Sequence, residues 1–350
     1  MGYYKPRGGV RIWRIRKEGI GLIEVKNLTK TYGNHDALCG VSFKIANGKI
    51  YGLLGPNGAG KSTTMNIMTG CLAPTSGTVR INGFDIYEQA IEAKRLIGYL
   101  PEQPPLYEDM TPEEYLMFVA EAKGVHPELA VRQVREVMGL TQITDMKDRL
   151  IRNLSKGCRQ RVGIAQAMLG NPEVIILDEP TVGLDPKQLV EVREMIRKLG
   201  ESRTVIVSSH ILSEVSELCD ELLVISRGKL IAQGTLEELE AMTGHTDTLH
   251  LTVRGDEEGV MEVLRSIVDV SDCKTSCSQD TVSVTLDIPR DKDVRDNIFF
   301  AMADRRYAVV AMEIEHKSLE NVFLTLTEDA SGERADEDDD NTDSGEEELA

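Results

Sequence analysis

The sequence predicts an α/β protein: a domain on a largely parallel sheet over residues 22–242, followed by a small α+β domain over residues 245–328. Three observations predict this. From Ile23 to Met242, short apolar runs of strand length alternate with helical patterns, as in a parallel sheet crossed by helices. A glycine-rich loop directly follows one of those runs, Ile50 to Leu54, and opens a helical pattern. After Thr243-Gly244 the character changes to alternating segments around two helical ones, in the order of a βαββαβ unit.

Taken in order, residues 1–21 read as a basic leader. Met1 to Glu18 holds six basic residues and one acid, and Gly and Pro punctuate its first ten residues. It is expected to be disordered or an artefact of gene calling, in which case Leu22 marks the true start and the native product carries Met there. Basic residues without a following apolar stretch make no secretory signal, which sets the cytoplasm as the default compartment. Leu22 to Leu28 alternates like a strand, Ile50 to Leu54 is a strand, and Lys61 to Met68 is a helix. Thr111 to Leu140 is helix-rich and broken by Gly124, Pro127 and Gly139, and residues of about 104–165 read as a helical insertion in the sheet domain. Val174 to Leu177 and Thr204 to Ser208 are strands. In the small domain Thr248 to Val253, Thr281 to Ile288 and Tyr307 to Ile314 are strand-like, while Gly259 to Val268 and Val294 to Ala303 are helical. Residues 329–350 form an acidic tail with too little apolar surface to fold.

Composition narrows the function. The formal net charge is −18, but the last twenty residues hold ten acids and one Arg and so carry −9, leaving a moderately acidic body. Nucleic acid is not an expected partner, since phosphate neutralisation needs clustered Lys and Arg. No run approaches the ~18 apolar residues of a membrane-spanning helix. The six cysteines lack the paired spacing of a zinc site or a disulfide scaffold and read as plain thiols.

Gly55-Pro56-Asn57-Gly58-Ala59-Gly60-Lys61-Ser62 matches the phosphate-loop pattern in full. Its glycines allow a tight turn that aims backbone N–H groups at phosphates, and the helix N-terminus adds partial positive charge. Lys61 is expected to reach the β- and γ-phosphates and Ser62 to offer a hydroxyl to Mg²⁺, with Thr63 completing the binding set. Val174 to Leu177 is a buried strand that delivers Asp178 and Glu179 to its carboxyl end, where ligands of open α/β sheets bind. Asp178 is the expected Mg²⁺ partner, and Glu179 is placed to polarise an attacking water.

Leu154-Ser155-Lys156-Gly157-Cys158-Arg159-Gln160-Arg161 resembles the Leu-Ser-Gly-Gly-Gln signature of ABC-type nucleotide-binding domains, and residues from about Ile23 to Met242 follow that family's motif order. The resemblance implies a P-loop NTPase fold with a helical subdomain. It also implies that Ser155, Lys156, Gly157 and Cys158 contact ATP held by a second nucleotide-binding subunit, as a homodimer or related heterodimer. Two departures stand out: Lys156 replaces the first Gly, and Cys158 replaces the Gln. By the same resemblance Tyr32 stacks on adenine, Glu102 and Gln103 form the coupling loop with Glu102 where the family has Gln and also near Mg²⁺, Asp185 crosses the dimer interface, and His210 is the switch histidine. The implied function is an ATP-hydrolysing subunit on the cytoplasmic face of the membrane. It would use ATP and Mg²⁺ to drive a separate membrane-spanning permease, in the branch that exports. The alternative is a soluble ABC-type ATPase of translation or repair, and against it stand one phosphate loop, no sustained heptads and no paired Cys motifs. The region after Thr243 resembles accessory segments of that exporter branch, including Ser318-Leu319-Glu320-Asn321-Val322-Phe323, with dimer support or regulation as its expected role. The cargo is not written in this chain.

Overall fold

β1 (Ile23–Tyr32) and β2 (His35–Ile45) form an antiparallel hairpin turned at Gly33, whose φ of 58° suits glycine. The computed structural model describes residues 22–242, 246–267, 273–278, 280–289 and 293–315. The leader, the Thr243-Gly244 boundary, the Ser318 to Phe323 run and the acidic tail lie outside the described residues. β3 (Ile50–Leu54) is buried at every position and leads through the glycine-rich loop into α1 (Lys61–Met68). β4 (Ser76–Ile81) and β5 (Phe84–Asp85) join the hairpin in a four-stranded sheet of order β2-β1-β4-β5.

After α2 (Ala90–Arg95), β6 (Ile97–Leu100) enters a second sheet and the chain leaves for its helical region. Thr111 caps α3 (Pro112–Ala122) through a capping box with Glu114, and Pro112 occupies the first turn, where no N–H is missed. α4 (Pro127–Leu140) runs through Gly139, which the sequence reading treats as a break. This glycine is exposed and one residue from the helix end, so the cost of keeping it helical is only about 0.5–1 kcal/mol, and the turn comes at Gln142 with φ 55°. Ser155 then caps α5 (Lys156–Met168) by accepting from the Cys158 N–H at 3.3 Å.

β7 (Val174–Leu177), α6 (Pro186–Gly200), β8 (Thr204–Ser209), α7 (Leu212–Leu218), β9 (Glu221–Ser226), β10 (Lys229–Gly234) and α8 (Leu236–Met242) complete this part. The second sheet has order β10-β9-β3-β8-β7-β6 and is parallel except for the β9–β10 hairpin. Its pleat separates two cores. Ile175, Leu177, Val205 and Val207 pack with the helices, while Val174, Ile176 and Ile206 pack with residues of β1 and β2. Each such side chain contributes about 1.5–3 kcal/mol by leaving water. The sheet is thus anchored on both faces.

The remaining elements are β11 (Thr246–Arg254), α9 (Glu257–Arg265), β12 (Lys274–Ser278), β13 (Thr281–Pro289), α10 (Arg295–Asp304) and β14 (Ala308–Glu315). They build an antiparallel sheet of order β12-β13-β11-β14 with its own core, including Leu249, Leu251, Val284 and Ile298. β12 fills the second strand of the βαββαβ order, but no alternating segment locates it in the sequence, because all five of its side chains are exposed.

Candidate active site

Two glycines shape the loop between β3 and α1. A Cβ on Gly55 would overlap the Ile225 carbonyl of β9, and one on Gly60, at φ 103°, would lie 2.8 Å from the Ala37 carbonyl. Only glycine lets the loop pass so close to its neighbours. No side chain caps α1 and no acid sits in its first turn, so its N-terminal N–H groups keep their partial positive charge for an anion. A cavity of about 510 Å³ opens at this point, lined by Pro56, Asn57, Gly58, Gly60, Lys61, Ser62 and Thr63 from the loop and helix start. Gly55 and Ala59, expected among the binding residues, do not line it, and Ala59 is buried. Tyr32 lines the cavity's edge, about half exposed, with the Lys30 ammonium 5.1 Å from its ring centroid.

Glu102, Glu179 and His210 reach the same cavity from the ends of three strands, β6, β7 and β8. Lys61, 6% exposed, donates to the Gly55 carbonyl at 2.8 Å and the Pro56 carbonyl at 3.3 Å, and lies 3.4 Å from Glu179 Oε1. His210 Nδ1 is 3.1 and 3.2 Å from the two oxygens of Glu179. Glu179 itself has φ 48°, a left-handed conformation that costs a non-glycine residue about 1–3 kcal/mol and turns its carboxylate out of the strand's pleat. Its N–H donates to Ser208 Oγ at 2.8 Å, and the same hydroxyl donates to Asp178 Oδ1 at 2.6 Å. Asp178 is 2% exposed and stands behind the cavity lining, held by Ser208.

Gln103 is exposed and does not line the cavity, whereas Glu102 does. Ser155, Lys156, Gly157 and Cys158 also stay off it, at the start of α5. The Ser155 hydroxyl lies 3.1 Å from Cys158 Sγ, and a Cβ on Gly157 would overlap the amide of Gln188. Lys156 crosses over Gly183, where its ammonium fills the space a Cβ would need. Asp185 caps α6 by accepting from the Gln188 N–H at 2.9 Å. The signature segment and the Gly183-Leu184-Asp185 loop therefore form one local unit, apart from the phosphate loop of their own chain.

Sequence reasoning passes over His35, Ala37 and Val182, which also line the cavity, and Ser208, which supports it. Ser208 had a legible signal: it is a polar residue completing an otherwise aliphatic run from Val205. His35 and Ala37 had none, because β2 reaches the loop only through the tertiary fold.

The donor set suits a nucleotide with a hard cation. Backbone N–H groups and a buried ammonium suit anionic phosphate, and the Ser62 hydroxyl and Glu102 carboxyl group on the cavity, with the Asp178 carboxyl group behind it, offer only oxygen donors, the set Mg²⁺ takes beside phosphates.

A model of the ABC transporter family matches residues 38–182. The linearmycin resistance ATP-binding protein LnrL of Bacillus subtilis is 32% identical over 307 residues, 87% of this chain and 98% of its own length. The bacitracin transport ATP-binding protein BcrA of Bacillus licheniformis is 39% identical over 221 residues, 63% of this chain and 71% of its own. A solved dimeric ATP-binding cassette in a post-hydrolysis state, bound to ADP and phosphate, aligns with a TM-score of 0.57 at 28% identity, covering 61% of this chain and 98% of that one. With the phosphate loop, the buried carboxylate strand and this near full-length likeness in hand, the chain belongs to the ABC transporter family as an ATP-binding subunit, an ATPase coupled to transport.

Proposed function

We propose that this subunit closes over ATP as a head-to-tail pair and hydrolyses it to drive export through a separate membrane-spanning permease. The observation that carries the hydrolytic part is the Glu179 carboxylate, held between Lys61 Nζ and His210 Nδ1 at the mouth of the phosphate loop. In this reading the loop from Gly55 to Thr63 binds the phosphates, Tyr32 takes the adenine, and Lys61 exchanges its carbonyl partners for phosphate oxygens. Glu179 orients the attacking water and draws its proton, and His210 fixes the carboxylate. Ser62, Asp178 and Glu102 would hold Mg²⁺, which would supply charge neutralisation for the phosphates.

Ser155, Lys156, Gly157 and Cys158 serve the ATP of the second nucleotide-binding subunit, with Asp185 crossing the interface. Their distance from their own chain's cavity supports action in trans, as does the dimeric cassette among the structural relatives. Glu102 and Gln103 transmit the state of the site to the permease, which docks on the helical insertion of residues 104–165. Among the described residues no helix is long and apolar enough to cross a membrane. A peripheral position on the cytoplasmic face fits the family's division of labour. The relatives named for linearmycin resistance and bacitracin transport support export. The accessory domain of residues 245–328 supports the dimer or regulates hydrolysis.

Glu179→Gln tests the hydrolytic reading: nucleotide binding should persist while turnover falls by about 100-fold or more. Wild-type turnover in the purified variant would refute it. Co-purification from native membranes tests the partner, with a polytopic membrane protein as the expected companion.

A further inference from the structure

Glu214 on α7 is a buried carboxyl group, 8% exposed, that none of the steps above uses. Its Oε2 accepts two hydroxyl hydrogen bonds, from Thr181 Oγ1 at 2.8 Å and from Ser209 Oγ at 3.1 Å. Ser209 Oγ in turn accepts from the Ile211 N–H at 3.1 Å. Thr181 and Ser209 are themselves 6% and 1% exposed, so water does not compete for these bonds. Thr181 lies two residues beyond Glu179, and Ser209 immediately precedes His210. One oxygen atom thus ties together the two segments whose tips meet in the His210–Glu179 contact.

The tie matters because Glu179 is left-handed, at φ 48°. A non-glycine residue stays in that region only where its surroundings over-determine it. On the amino side the restraint is the bond from the Glu179 N–H to Ser208 Oγ. On the carboxyl side, the Val182 N–H donates to the Glu179 carbonyl at 3.3 Å, and Thr181 bound to Glu214 anchors that turn from outside it.

We propose that Glu214 is a positioning residue for ATP hydrolysis, clamping the segments that carry Glu179 and His210 so that the carboxylate faces the cavity. The proposal rests on the reading of Glu179 as the hydrolytic carboxylate. What the clamp needs is an acceptor oxygen at one point, so an amide at position 214 preserves it and a methyl group does not. Without it the two hydroxyls lose their common acceptor and the carboxylate is free to swing, and a displacement of about 1 Å at a reacting group costs on the order of 100-fold in rate.

The test compares wild type, Glu214→Ala, Glu214→Gln, Thr181→Val and Glu179→Gln in the purified full chain. It reads kcat and KM for Mg-ATP, the Kd of a fluorescent ATP analogue, and Tm. Glu214→Ala should lower kcat by about 10- to 100-fold with Kd within about 2-fold, and Glu214→Gln should recover to within about 3-fold of wild type. Thr181→Val should lower kcat in the same sense, and the Thr181→Val, Glu214→Ala double variant should be no slower than Glu214→Ala alone. Wild-type kcat in Glu214→Ala, a Gln variant as slow as the Ala variant, or a loss of nucleotide affinity matching the loss of kcat would overturn the clamp. If Glu214→Ala fails to fold, Thr181→Val decides: slow turnover with intact binding supports the clamp, and wild-type turnover overturns it. Glu179→Gln separates the two readings, since an active Glu179→Gln defeats the site assignment, while an inactive Glu179→Gln beside a fully active Glu214→Ala defeats the clamp alone.

Discussion

Replacing Ser208 with Ala removes one oxygen that serves both acidic residues at the end of β7. Ser208 is fully buried, accepts from the Glu179 N–H at 2.8 Å and donates to Asp178 at 2.6 Å. Leaving a buried N–H without an acceptor costs about 1–3 kcal/mol, and a hydrogen bond to a charged group contributes about 1.5–3 kcal/mol. The two share one atom and are not fully additive, so a net loss of about 3–5 kcal/mol is expected. In a body of roughly 200 residues, each kcal/mol moves Tm by about 2–4 °C, which puts the shift at about 6–20 °C. Scanning calorimetry of the nucleotide-free protein, following the larger domain's transition, measures it directly. A Tm within about 2 °C of wild type would refute the reasoning, because both acids would then have found other partners without cost.

Gly98→Ala should destabilise by about 1–3 kcal/mol or more, since its Cβ would overlap the backbone carbonyl of Ala167 on α5 rather than a side chain able to move aside. Gly139→Ala should stabilise by about 0.5–1 kcal/mol, because it is helical and exposed with open space at its Cβ, and urea unfolding compares the pair. In the Glu179→Gln protein, Mg-ATP should protect Cys158 from a soluble alkylating reagent more than ADP does. Peptide mapping distinguishes it from the other five thiols, and equal labelling with ATP demonstrably bound would contradict the head-to-tail pair. Lys123 donates to the carbonyls of Gln166 and Leu169 at 3.0 and 2.9 Å, closing the end of α5, and burial of its ammonium lowers its pKa from 10.5 to about 8.

 The unfolded chain holds that proton to higher pH, so the cost of burying the charge is fully present below about pH 8 and is lost as pH rises toward 10.5. Urea midpoints on either side of that window should therefore rise with pH in wild type relative to Lys123→Met, and parallel curves would refute the assignment.

Much of this site can be read directly from residue pattern. The glycine spacing of Gly55 to Ser62 and the aliphatic run before Asp178 each reflect a local physical demand, a tight turn in one case and a strand buried on both faces in the other. The antiparallel sheet of β2, β1, β4 and β5 is legible only at Leu22 to Leu28. β2 carries Gly40 at φ 87°, and its pairing with β1 shifts register three times, so the adjacent buried Ala37 and Leu38 break the period of two that Val41, Phe43 and Ile45 keep. Thr181 and Glu214 were missed for a different reason: a buried polar residue outside any aliphatic run looks the same in sequence as a solvated one until its partners are known. The departures at Lys156 and Cys158 are visible in the sequence. That Lys156 crosses Gly183 of its own chain is not.

The alternation of β7 between two cores makes the length of this short segment inviolable. One residue inserted between Val174 and Leu177 would send Val174 or Ile176 to the wrong side and exchange the outlooks of Asp178 and Glu179. Neither neighbour could slide to absorb it, since β6 and β8 both pair with β7 and are held by their own packing. The exposed turn at Gly124, between α3 and α4, has open space around it and tolerates the same insertion. Among descendants of this chain, variation in length should therefore accumulate in the helical region and stop abruptly at Glu173.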